Sequence, residues 1–233
     1  MRSAWLTLLL CALGGCGTAA PTTLKRSISS ELKRCLALEA SRHPKYSLYT
    51  KYRGEQHLGV RYDQSEERER HRVFVCGGRL CDRTGALLDA QINLSKHAHR
   101  DGKAIFVIDV QGQLWITFDQ KYGRVHHSTL LAGSPVIAAG EMLIDTGELI
   151  SVSNESGHYR PPPSSLDVAD RILALMGVDV SLLEHYAVSA RHTRAQLRRR
   201  ALPAPTTAQL REACLLKNPL RKPVSAEVHK RSL

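Results

Sequence analysis

The 233-residue chain has no long apolar run outside its extreme N-terminus, and that run is too short to span a bilayer, so a polytopic membrane protein is excluded. Acid is scarce: 22 Asp plus Glu face 33 Lys plus Arg, a formal charge of +11. There is no internal repeat, which removes solenoids and propellers. Beyond the leader there is one close cysteine pair, Cys76 and Cys81, and no second one, so a structural zinc site has little to stand on. What is present is a composition 42% apolar, enough to fill one core in a chain of this length, and a wholly disordered protein is excluded.

Arg2 gives the N-terminus a positive start, residues 4–13 are mostly apolar, and Gly14-Gly15 supplies small side chains. That is the three-part layout of a secretory signal. The tetrapeptide Leu13-Gly14-Gly15-Cys16 resembles a bacterial lipobox. The resemblance implies cleavage before Cys16 and acylation of its thiol with palmitate-like chains, each buried methylene contributing about 0.8 kcal/mol to membrane attachment. Gly17, in place of an Asp that would favour inner-membrane retention, implies an outer-membrane lipoprotein facing the periplasm of the bacterial cell envelope. The open alternative is an ordinary signal peptide cut near Ala19-Ala20-Pro21. Residues 16–30 then read as a flexible tether, 31–218 as a single domain and 219–233 as a basic polar tail.

Loss of residues 1–15 removes one Arg and no acid, so the positive charge belongs to the folded part. Such a surface is attracted to anionic headgroups or an acidic envelope polymer, over about a Debye length. Export disfavours nucleic acid as the partner. With Cys11 in the leader and Cys16 acylated, Cys35, Cys76, Cys81 and Cys214 remain. Four thiols in an oxidising compartment pair in three ways. The preferred pairing closes a turn with Cys76–Cys81 and ties an N-terminal helix to a C-terminal one with Cys35–Cys214.

Hydroxyl caps at Ser29-Ser30 predict a helix over residues 31–41. Residues 64–72 are a dense charge run, read as a solvated loop or short helix, and residues 72–76 as a strand turned by Gly77-Gly78. Residues 104–109 and 114–118 form a hairpin about Gln111-Gly112. Residues 125–131 are expected as a further strand, and 139–144 with 148–153 as a second hairpin about Asp145-Thr146-Gly147. The periodicity of Leu166, Ala169, Ile172, Leu173 and Met176 predicts a covering helix that ends at Gly177. Residues 184–190 are a strand or short helix, and residues 206–217 a last helix after an Arg-rich stretch. The expected fold class is α+β, a small antiparallel meander around residues 104–154 packed by helices from both ends of the chain.

Polar residues concentrate in two places, Gly123-Arg124-Val125-His126-His127-Ser128-Thr129-Leu130-Leu131-Ala132-Gly133-Ser134-Pro135 and Gly157-His158-Tyr159-Arg160-Pro161. His126-His127-Ser128-Thr129-Leu130-Leu131-Ala132-Gly133, Ala138-Ala139-Gly140-Glu141 and Ser156-Gly157-His158-Tyr159-Arg160-Pro161 together resemble a domain of plant IQ-motif calmodulin-binding proteins, also seen in bacterial proteins of unknown activity. The resemblance covers about residues 104–166. It implies a fold and no activity. Thr129 and Leu130 stand where similar segments carry Ser and Phe. The chain has no Ile-Gln motif with trailing basic residues, so the resemblance does not carry calmodulin binding with it.

The residues themselves allow three chemistries. His126, His127 and His158 are metal-ligand types, but adjacent residues on a strand face opposite ways, so no metal or other cofactor is expected. Ser128 as nucleophile needs His158 as base and Glu141 to orient it. A nucleotide or sugar pocket needs Arg160 on an anion, Tyr159 stacking and Glu141 as carboxylate base. Against all three stands a sheet corner in which the same polar groups bond backbone carbonyls. His57, His71, His97, His99, His185 and His192 read as surface residues. The function expected first is a membrane-anchored envelope lipoprotein acting as a binding or interaction module. The alternative is an enzyme, a toxin-like catalytic domain acting on a nucleotide-containing substrate.

Overall fold

The computed structural model describes residues 27–90, 102–188, 194–196 and 206–216. Cys11, Cys16, His97, His99, His192 and the Arg198–Arg200 run lie outside the described residues. The fold class is α+β. Helix α1 (Ser30–Ala40) starts where expected, with the Ser29 hydroxyl accepting from the Leu32 N–H. Two 3-10 turns follow, Thr50–Tyr52 and Glu55–Leu58, then the short helix α2 (Ser65–Arg68) in the charge run. A small antiparallel pair, β1 (Phe74–Cys76) and β2 (Arg79–Cys81), turns at Gly77-Gly78. The hairpin of β3 (Ala104–Asp109) and β4 (Leu114–Thr117) comes next, then helix α3 (His127–Leu130), then β5 (Val136–Asp145) with β6 (Glu148–Ser153). Helix α4 (Ser165–Met176), β7 (Glu184–Val188), β8 (Arg194–Gln196) and helix α5 (Thr207–Leu216) complete the order.

The larger sheet departs from the expected meander. Its order is β4-β3-β5-β6-β7-β8, antiparallel throughout except that β7 pairs parallel to β6. Parallel pairing needs a crossover, and α4 is that crossover, so the helix covers one face of the sheet it connects. The expected strand over residues 125–131 is also corrected: four of its residues form α3. The His126 N–H donates to Thr129 Oγ1, and the Thr129 N–H returns to the His126 carbonyl. This local reciprocal bonding starts a helical turn and outweighs the β-branched character of the segment.

The sheet separates two apolar clusters. Phe106, Ile108, Leu114, Ile116, Met142, Ile144 and Val152 face α1 and α4 in the main core. On the other face Val107, Trp115, Val136 and Ala139 meet Leu130, Leu131 and Tyr159. Polar ties fix the helices to the sheet. Glu39 of α1 binds Arg171 of α4 together with Arg42 and His43. His185 on β7 lies 2.9 Å from Asp170 of α4, both nearly inaccessible, so the expectation of a surface histidine is corrected there. His71, half-buried 3.1 Å from Asp63, is corrected likewise. The disulfides join Cys35 to Cys214, linking α1 to α5, and Cys76 to Cys81. Among the described residues no helix is long and apolar enough to cross a membrane.

Gly140 shows how tightly β5 and β6 meet. A Cβ there would lie 1.7 Å from the Ser153 carbonyl oxygen, which only backbone displacement relieves. Gly140→Ala is therefore expected to destabilise the domain by about 3 kcal/mol, read as a lower denaturation midpoint, whereas an unchanged midpoint would contradict the packing described.

Candidate functional site

The two polar runs converge on the sheet face away from α1 and α4. His126 and Ser128 come from the start of α3, and His158 from the loop 156–161. Asn154 pins the base of that loop, its amide donating to the Pro161 and Val188 carbonyls and its oxygen accepting from the Val188 N–H. A third segment, unmarked in the sequence reading, completes the site. The Tyr49 N–H donates to the His158 carbonyl at 2.7 Å, which lays the turns at residues 50–58 across the loop.

His158 is the centre. Its ring lies 4.3 Å from the Tyr52 ring at 24° and 4.4 Å from the His126 ring at 34°. The Tyr52 ring stacks on His158 and the His126 ring meets it tilted, and two rings at these distances do not fit on one face of an imidazole, so His158 is held between them. Ser128 Oγ is 3.0 Å from Nδ1, in hydrogen-bond contact. Glu55 Oε2 lies 2.9 Å from the same nitrogen but meets no hydrogen-bond geometry, and the other Glu55 oxygen accepts from Tyr62 at 3.4 Å. Ser128 and Glu55 are almost wholly buried, His158 nearly so.

Burial, with Lys51 nearby, pushes the His158 pKa down to about 4. His126 is lowered too, by burial first and by His158 second. Both rings are thus neutral near pH 7. His126 Nε2 accepts from the Gly123 N–H.

Other expected residues take different places. His127 is buried and bonds the Gly140 carbonyl through Nε2 at 2.9 Å. Tyr159, expected to stack on a ligand, is a core residue whose hydroxyl donates to the Ser134 carbonyl, and burial raises its pKa. Glu141 is buried on β5 with Lys103 Nζ 3.9 Å away, and the carboxylate at the imidazole is Glu55. Arg160 is exposed, its guanidinium 4.3 Å from the centre of the Tyr49 ring. Among the described residues no group of three His, Cys, Asp or Glu is arranged to hold a metal ion.

A Ser-His-carboxylate relay needs the hydroxyl on one imidazole nitrogen and the carboxylate on the other. Here Ser128 and Glu55 meet the same nitrogen, so the geometry does not activate Ser128. The arrangement is a fixed neutral imidazole in an aromatic clamp. Because the folded His158 pKa is depressed from 6.5, the unfolded chain takes up the proton first as pH falls. Stability is expected to decline between about pH 6.5 and 4, read as a falling Tm, with a smaller decline in His158→Gln. Equal slopes in the two proteins would contradict the burial of a neutral ring.

Residues 67–166 match the family described as the IQ motif-containing protein middle domain. IQ domain-containing protein IQM3 of Arabidopsis thaliana is 34% identical over 131 residues, which cover 56% of this chain and 27% of the relative. IQ domain-containing protein IQM1 of the same plant is 30% identical over 134 residues, 58% of this chain and 26% of the relative. The chain thus spans about a quarter of the length of these relatives. No solved structure matches it. The similarity overturns the partner expectation drawn from the sequence: with IQ domain-containing relatives, the exclusion of calmodulin falls, and membrane lipid and acidic envelope polymer are withdrawn as its replacements. Over residues 67–166, which hold His126, Ser128, His158 and Arg160, the chain is similar to the middle domain of IQ motif-containing proteins.

Proposed function

We propose that this protein is an exported interaction module that binds an acidic protein of the calmodulin kind through the face around α3. One observation carries the reading. Tyr122 is 89% exposed beside exposed Lys121, Arg124 and Arg61, and the backbone joins these residues, Arg61 N–H to the Arg124 carbonyl and Arg124 N–H to the Lys121 carbonyl. An exposed aromatic ringed by cations is a typical anchor for a partner of opposite charge. Asp63, the acid paired with Arg61, is buried and leaves the face positive.

The similarity to IQ domain-containing proteins supports the class of partner. The matched segment is the middle domain and the chain carries no Ile-Gln motif, so contact runs over the folded surface. The same-nitrogen geometry of Ser128 and Glu55 supports binding over nucleophilic catalysis. The two disulfides support an oxidising compartment, reached through the apolar leader.

Calorimetric titration of the oxidised chain with calmodulin, with and without calcium, is expected to give micromolar binding that weakens with salt. Tyr122→Ala and Arg124→Glu should each weaken it about tenfold. Absence of binding in both calcium states would overturn the partner. Unaltered affinity in both variants would overturn the face, and four free thiols in chain purified without reductant would remove export.

A further inference from the structure

Arg160 carries a cost that its neighbours do not explain. Its φ is +47°, in the left-handed region where a side chain is strained, and it precedes Pro161, which restricts its backbone further. Glycine would fit this turn at lower energy, as Gly133 and Gly177 do in theirs. The Arg160 side chain is not held by the core. It is exposed, bonds only the neighbouring Gly157 carbonyl through Nε, and otherwise lies over the Tyr49 ring. Strain of this kind is found at ligand sites as well as in turns such as those of Ala132 and Thr146, and at Arg160 it holds an exposed cation.

A second cation lies on the next tyrosine of the same turn. Lys51 Nζ is 4.6 Å above the Tyr52 ring, the same ring that stacks on His158. Tyr49 and Tyr52 are 6.5 Å apart, so the two cations are carried by adjacent rings of one turn. Among the described residues neither makes an ion pair with a carboxylate. The third group is the free edge of His158. We place the proton on Nδ1, where a lone pair would otherwise face the Glu55 carboxylate oxygen at 2.9 Å, which leaves the lone pair on Nε2. No described residue bonds Nε2.

We propose that Arg160, Lys51 and His158 form a binding site for a phosphate monoester of a small molecule. Two cations of different shape take the anionic oxygens, a guanidinium as a fork and an ammonium as a point charge. His158 Nε2 accepts the remaining P–O–H, which a monoester keeps for part of the time near its second pKa of about 6. A carboxylate or sulfate has no such proton at neutral pH, so the acceptor nitrogen selects for phosphate. The site uses residues other than those of the Tyr122 face and binds without any protein partner.

The test is titration of the full oxidised chain with inorganic phosphate, glycerol 3-phosphate and, separately, sulfate, followed by amide chemical shifts at pH 6.5. Phosphate and glycerol 3-phosphate are expected to shift residues 49–52 and 156–160 with a Kd about tenfold or more below that of sulfate. Arg160→Gly is expected to weaken phosphate binding about tenfold with an unchanged or higher Tm, since it releases the strained backbone. Sulfate binding as tightly as phosphate, or no phosphate-dependent shift, would overturn the proposal even if calmodulin binds. So would undiminished phosphate binding in Arg160→Gly, or a Tm lowered by about two degrees or more, which would assign Arg160 to the fold.

Discussion

Two segments distant in sequence from residue 158 meet at its imidazole, residues 50–58 and the start of α3. His158 receives the Tyr52 ring from residues 50–52, the His126 ring and Ser128 hydroxyl from the start of α3, and the Glu55 carboxylate from the next 3-10 turn. None of these segments belongs to the sheet, and each is short. A residue that is polar at both ring nitrogens yet stackable on both faces can join them where an aliphatic side chain could not. Burial keeps the ring neutral, which avoids the cost of an isolated charge, and its Nδ1 partners fix its orientation. The candidate surfaces on either side, with Tyr122 against His126 and Lys51 over Tyr52, inherit their positions from this clamp.

The sheet was the most legible part of the sequence, because its signals are local. The β-branched run of β3 with its Gln111-Gly112 turn, and the Asp145-Thr146-Gly147 turn between β5 and β6, announce hairpins without reference to anything distant. Periodicity and Gly177 place α4 to within a residue of its ends. The parallel pairing of β7 with β6 left no local mark, since it depends on where α4 returns the chain. His126-His127-Ser128 was misread as strand because its helical turn rests on a reciprocal bond between His126 and Thr129, a signal of two residues.

The site was legible by halves. His126, Ser128, His158 and Arg160 stand in two conspicuous motifs, and the structure brings the first three into contact. Glu55, Tyr52 and Lys51 come from a stretch with no periodic pattern, and only the tertiary bond between Tyr49 and the His158 carbonyl brings them in. Glu141 drew attention as the carboxylate within the resembling segment, while the carboxylate at the ring lies outside it, before residue 67. A signal existed in Tyr49 and Tyr52, two of the seven tyrosines of a chain poor in aromatics. Their spacing of three fits one turn of 3-10 helix.

The family match over residues 67–166 covers the sheet face, α3 and the loop 156–161, and the turns that close the site precede it. The central claim is that His158 is a neutral imidazole with its proton on Nδ1. Long-range proton–nitrogen correlation spectra of the histidines at pH 6 test this directly. The account predicts a pyrrole-type shift at His158 Nδ1 and a pyridine-type shift at Nε2, with no titration until about pH 5. An imidazolium signature at pH 6, or the proton on Nε2, would contradict it.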